Sequence, residues 1–181
     1  MKRSVRVLIM CGCVTVTMNF SFATERSVKK GNQHFAGGRY EDALTAYTDA
    51  ELSAPHQAEI IFNMGDALYK QQKYAEAHDM YDRAYMEARG PLRTQALYNS
   101  GCVLYRQGKL KESLDVFKHA LQEDPSDLDT KHNVEFVERK IKEMMNQAQQ
   151  REQQQSQSKA EQQQDKQEKD DAGRVFAALG N

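Results

Sequence analysis

The feature that most constrains this chain is a segment that returns three times in phase. It runs from Gly31-Asn32-Gln33-His34-Phe35 to Pro55, from Gly65-Asp66-Ala67-Leu68-Tyr69 to Arg89, and from Gly101-Cys102-Val103-Leu104-Tyr105 to Pro125. The first two glycines are 34 residues apart and the next two 36, and the two extra residues fall at Gly90-Pro91, where a turn absorbs them. Counted from each glycine, an aromatic stands four on (Phe35, Tyr69, Tyr105) and a large apolar residue nine on (Tyr40, Tyr74, Leu110). A small residue follows at twelve (Ala43, Ala77, Ser113), an aromatic at sixteen (Tyr47, Tyr81, Phe117) and Ala at nineteen (Ala50, Ala84, Ala120). Two helices that cross closely need Gly or Ala where their backbones meet and large side chains on either side to fill the gap. Gly37-Gly38, Gln71-Gln72 and Gln107-Gly108 fall where the first helix of each pair must turn into the second. A hairpin of this kind buries one face only in contact with a neighbour, so the pattern predicts an all-α stack of three hairpins.

These residues resemble the tetratricopeptide repeat, a helix-turn-helix unit, over about residues 24–125. The resemblance implies a right-handed solenoid of hairpins at 24–57, 58–91 and 94–127 and a concave side lined by the first helix of each. Lys30 and Ser27 depart from the family pattern, standing in slots that are ordinarily apolar.

Past the third hairpin the count lands on Glu135, which cannot serve as a close-packing residue, so the repeats stop. Val134, Val137, Ile141, Met144 and Met145 still recur at helical spacing and predict a capping helix over 126–145, with Ser126 as its N-cap. From 146 to 170 there are 11 Gln in 25 residues and nothing more apolar than Ala, a stretch unable to bury a core. It either prolongs the cap into solvent or is disordered, and the helix propensity of Gln favours the former. Residues 171–181 form a short amphipathic segment in which Phe176 and Leu179 suit a docking peptide as well as a frayed end.

At the other end, Lys2, Arg3 and Arg6 precede an apolar stretch of 12 residues, Val7 to Met18, and then Ser21-Phe22-Ala23. That is the layout of a secretory signal peptide, residues 1–23, cleaved after Ala23. A retained anchor is the alternative, although the stretch is shorter than the ~20 residues a bilayer core requires. A lipoprotein acylated on Cys13 after Met10-Cys11-Gly12 is a third reading. Cleavage would leave Cys102 as the one cysteine and 22 basic against 26 acidic residues. An exported protein with these repeats resembles the periplasmic repeat proteins of bacterial Bat (aerotolerance) operons, given Asp124-Pro125-Ser126-Asp127 through Glu135, a Gln-rich tail and a terminal Asp170-Asp171-Ala172 with Ala178-Leu179. That resemblance implies partners among von Willebrand A-domain membrane proteins and a MoxR-type ATPase.

A formal charge of -1 is no footprint for nucleic acid. The five His include no pair at the spacing of a helical zinc site, and no phosphate loop or nucleophile elbow occurs. Cys102 has no His or basic residue beside it in sequence, so no enzyme, metal, cofactor or small-molecule substrate is expected. The expected site is the concave groove. At -3 from the glycines stand Val28, Phe62 and Tyr98, and at +4 Phe35, Tyr69 and Tyr105. At +1 stand Asn32, Asp66 and Cys102, followed by Phe136, and at +5 stand Lys70, Arg106 and Lys140. An aromatic floor with basic and acidic margins (Glu25, Glu59, Gln95 and Asp129 forming the latter row) suits a peptide or protein partner. Three functions compete: an envelope interaction scaffold, a structural or wall-associated biogenesis factor, and a chaperone cofactor that clamps a C-terminal carboxylate. The clamp resembles this chain at Asn32 and Asn63, but Val28, Gln95 and Asn99 stand where its basic residues belong.

Overall fold

The computed structural model describes residues 22–179, except for the side chains of 170–172 and 175–179. The basic start, the apolar stretch, Cys11 and Cys13 lie outside the described residues. Seven helices and no strand make up the described chain: α1 at 22–36, α2 Tyr40–Ser53, α3 Ala58–Lys70, α4 Tyr74–Glu87, α5 Pro91–Arg106, α6 Leu110–Glu123 and α7 Leu128–Leu179. Among the described residues no helix is long and apolar enough to cross a membrane.

The three hairpins, α1/α2, α3/α4 and α5/α6, repeat down to single hydrogen bonds. In each the turn closes with N–H groups reaching back onto the first helix: Arg39 to the His34 carbonyl at 2.9 Å, Lys73 to Leu68 at 3.0 Å and Lys109 to Leu104 at 3.0 Å. That closure places one turn residue in the left-handed region, Gly38 at φ 74°, Gln72 at 61° and Gly108 at 76°. The Gly90-Pro91 dipeptide serves differently: Gly90, at φ 59°, precedes Pro91 at the first position of α5, where its missing N–H costs nothing.

Inside each hairpin the repeated glycine meets the aromatic sixteen residues on. A Cβ on Gly65 would lie 2.7 Å from the Tyr81 ring and one on Gly101 2.7 Å from Phe117, and Gly31 faces Tyr47 in the same way. The small residue at twelve is fully buried in all three hairpins, and where it is Ser113 its Oγ donates to the Gly101 carbonyl at 2.8 Å. Side chains from successive hairpins then merge. Ala43, Tyr47 and Ala50 of α2 pack with Ile60, Met64 and Ala67 of α3, while Leu68, Ala77 and Tyr81 reach Val103 of α5. Arg83 of α4 pairs with Glu51 of α2, and Arg93 of α5 pairs with Glu123 of α6 at 3.1 Å while its guanidinium lies 3.9 Å over the Tyr85 ring of α4.

Two units divide the chain, residues 1–137 and 138–181. In the first, α7 begins on an Asp127 cap, whose Oδ1 accepts the N–H groups of Asp129 at 3.0 Å and Thr130 at 3.2 Å. Ser126 is not the cap expected from sequence, because its own N–H and hydroxyl are committed to Asp124 Oδ1 in the preceding turn. Thr130 and Val137 are buried and Val134 is half-buried. In the second unit the stripe loses its cover: Ile141 is half-buried, but Met144 and Met145 are more than half exposed at 53% and 59%. The helix continues unbroken through the Gln-rich stretch, whose described side chains are all exposed.

Candidate functional site

The open faces of α1, α3 and α5 carry the predicted groove residues, and each aromatic is braced by a second ring. Phe35 packs edge-on to Tyr40 at 5.4 Å, and Tyr69 to Tyr74 at 5.6 Å. The third repeat has Leu110 in the bracing position, and Tyr105 instead meets Phe136 of α7 at 5.6 Å. Deeper in the floor Phe62 packs on Tyr81 at 5.5 Å and Tyr98 on Phe117 at 5.9 Å. Phe35, Phe62, Tyr69, Tyr98 and Tyr105 are all half-buried, and Phe136 is 39% exposed. A ring held on one side and open on the other is rigid and cheap to desolvate, the quality that makes an anchor.

The polar groups are tied to this floor. Tyr47 donates its hydroxyl to Asn32 Oδ1 at 2.7 Å, and burial, reinforced by the Asp66 charge, pushes that phenol up to about 12. Tyr81 donates to Asp66 Oδ1 at 2.6 Å, and Asn99 Nδ2 reaches the same oxygen at 3.2 Å. The third hairpin lacks both partners, having Phe117 and Cys102 in those places. Across the floor Arg106 Nε donates to the Tyr69 hydroxyl at 3.3 Å, while Lys70 is exposed. Phe35, Asp66, Tyr69, Lys70, Tyr81, Asn99 and Cys102 together line a pocket of about 340 Å³. Beyond it Gln95, Tyr98 and Asp129 line a second cleft of about 530 Å³ with Arg93, Glu123 and Asp124.

Asp66 and Cys102 come to this pocket from the +1 row of the expected groove, and Asn99, which the sequence offered only as a missing clamp cation, joins them. Lys140, placed in the basic row by counting repeats, belongs to the second unit and pairs there with Glu143 at 3.6 Å. The side chains of Phe176 and Leu179 lie outside the described residues. Burial pushes the Cys102 thiol up, against smaller opposing effects of the Tyr98 hydrogen bond and the Arg106 charge, so it is held as a thiol rather than a nucleophilic thiolate. Among the described residues no three of His, Cys, Asp and Glu converge on a point that could hold a metal ion.

Burial also raises Asp66 above the ordinary carboxylate value, the Tyr81 hydrogen bond and the Lys70 charge opposing it. The native state therefore holds the Asp66 proton more tightly than the unfolded chain, and stability is lost as pH rises through the native value. Asp66→Asn keeps the oxygen that Tyr81 and Asn99 use, as Asn32 does for Tyr47. Its melting temperature should exceed the parent's at neutral pH, and the two should converge in acid. Parallel calorimetric pH series check this; a variant less stable than the parent at neutral pH would contradict it.

The sequence matches the family described as Tetratricopeptide repeat over residues 28–91 and 62–127, more than half of the chain. No curated protein matches it. Among solved structures, the first repeat domain of Spaghetti (RPAP3) bound to the HSP90 peptide SRMEEVD superposes with a TM-score of 0.61 at 21% identity, over 67% of this chain and 94% of that one. The N-terminal domain of stress-induced protein-1 (STI-1) from C. elegans gives 0.62 at 20% identity, over 66% and 97%. The second repeat domain of human RPAP3, in complex with the HSP70 peptide SGPTIEEVD, gives 0.57 at 24%, over 64% and 98%. At these identities the likeness is one of fold, and with the repeated glycine–aromatic contacts and the matched residues it places the chain in the tetratricopeptide repeat family.

Proposed function

We propose that this protein is a non-enzymatic scaffold of the bacterial cell envelope that holds a peptide or domain of a partner protein in the concave groove. The observation that carries the reading is the braced, half-open aromatic floor around the 340 Å³ pocket. Family members of this shape bound to chaperone peptides support a peptide as the ligand. Export, with cleavage after Ala23, rests on the basic start and apolar stretch, and von Willebrand A-domain membrane proteins of Bat type are the partners the sequence resemblance supplies. Clamping of a chaperone's terminal carboxylate is disfavoured by Val28, Gln95 and Asn99 in place of cations and by the Asp66 carboxylate in the pocket.

Affinity purification of the tagged protein from envelope extracts tests this, with groove variants beside the parent. Truncating a desolvated aromatic anchor costs about 2 kcal/mol or more, roughly a 30-fold loss. Tyr69→Ala with Tyr105→Ala is therefore expected to abolish capture while circular dichroism shows the fold intact. Lys70→Glu with Arg106→Glu should weaken capture and reduce its salt dependence, each exposed pair being worth roughly 0.2–1 kcal/mol. Arg106 also holds the Tyr69 hydroxyl, so Tyr69→Phe separates the loss of that bond from the loss of charge. Full capture by both double variants would move the site to the tail, with Phe176 and Leu179 as its candidates.

A further inference from the structure

The charge on Asp66 exceeds what packing asks of it. At the equivalent place in α1 the neutral amide of Asn32 satisfies the Tyr47 hydroxyl at 2.7 Å, so this position needs an acceptor oxygen and no more. In α3 both internal donors, Tyr81 at 2.6 Å and Asn99 at 3.2 Å, fall on Oδ1. Among the described residues none hydrogen-bonds to Oδ2, and the carboxylate lines the pocket beside Phe35 and Tyr69. Lys70, one turn further along α3, is exposed and closes no ion pair on Asp66, and Arg106 is engaged by the Tyr69 hydroxyl. A half-buried carboxylate with one oxygen uncommitted is costly to hold in a fold until a charged donor meets it, and charge-assisted hydrogen bonds are the strong ones.

We propose that the groove takes an internal segment of a partner protein and that a lysine or arginine of that segment enters the pocket between Phe35 and Tyr69 to bind Asp66. This rests on the concave groove being the binding site. The aliphatic stem of such a residue covers apolar ring surface while its charged end reaches the carboxylate, and the ring faces attract the cation in turn. Acidic residues flanking it in the segment face Lys70 and Arg106 on the outer margin. A free carboxyl terminus is the opposite ligand: it meets a like charge at Asp66 and finds no cation at Val28, Gln95 or Asn99.

Short peptides with blocked ends, carrying one lysine between leucines and a glutamate outside them, test this by fluorescence anisotropy on the full-length protein. Matched peptides replace the lysine with norleucine, or leave the terminal carboxylate free in place of the lysine. The lysine peptide is expected to bind at least about tenfold tighter than either, and Asp66→Asn, which keeps the Tyr81 and Asn99 bonds, should abolish that preference. Equal binding of the lysine and norleucine peptides, no binding of the lysine peptide at millimolar concentration, or a preference that survives Asp66→Asn overturns the inference. Tyr69→Ala with Tyr105→Ala separates it from the groove reading. If that variant loses all the peptides while the parent shows no lysine preference, the groove stands and the cation pocket falls; if it binds them as the parent does, the groove itself falls.

Discussion

Gly65→Ala should lower the melting temperature of the repeat unit, by up to about 15 °C, although Ala is the better helix former. On propensity alone the substitution in α3 would stabilise the protein by about 1 kcal/mol. The added Cβ, however, would lie 2.7 Å from Cε1 and 2.8 Å from Cδ1 of Tyr81. That ring cannot retreat: it is 1% exposed, packed on Phe62 and pinned through its hydroxyl to Asp66. Overpacking of this kind costs roughly 1–3 kcal/mol, enough to reverse the sign. Gly101→Ala meets Phe117 at the same 2.7 Å, but Phe117 has no hydroxyl to hold it, so the loss there should be smaller. Thermal melts of the two variants and of Gly65→Ala with Tyr81→Leu check the account. The double variant should recover part of the loss as a favourable coupling, and a neutral or stabilising Gly65→Ala would refute the close crossing.

What could be read from the sequence follows from the same contacts. Gly31, Gly65 and Gly101 and the aromatics sixteen residues on were legible because a close helix crossing permits few residue types at either place. The bond between the +1 and +16 positions was legible too, though composition hid it. Asn32 goes with Tyr47 and Asp66 with Tyr81, whereas Cys102 goes with Phe117, so an acceptor is present only where there is a hydroxyl to give it a proton. Comparing the repeats with one another, rather than searching for catalytic groupings, is what brings Asp66 forward. Other features depended on facts that local pattern does not carry. Ser126 and Asp127 are both good caps, and which one serves is decided by Asp124 having already taken Ser126. Met144 and Met145 continue an apolar spacing, yet spacing says nothing of whether a neighbour stands opposite, and they are exposed. Lys140 took its place in the basic row from the repeat spacing carried on into the capping helix, but it belongs to the second unit and pairs with Glu143.

The largest effect expected is from shortening α7. A chain ending at Pro125 should lose roughly 3–5 kcal/mol, a fall of about 15 °C or more in the melting temperature. It would lack Thr130, fully buried, and Val137, 1% exposed, and with them the Phe136 ring that braces Tyr105 and the Asn133 side chain that hydrogen-bonds Tyr98. Removing these opens the last repeat's apolar face to water, and a solenoid without its terminal cap is both less stable and less soluble. A chain ending at Met145 keeps all of those contacts and sheds only residues whose described side chains are exposed. Its repeat unit should melt within about 0.5 kcal/mol of the parent, the range for surface changes. The helical signal, though, should fall with the lost turns, because a helix with no buried face gains little from tertiary packing and unfolds without cooperativity. Circular dichroism melts of both truncations and the parent measure the two quantities together. An equal loss of stability in both would show that residues 146–181 pack against a folded surface, and the tail would then have to be counted as part of the structure that shapes the groove.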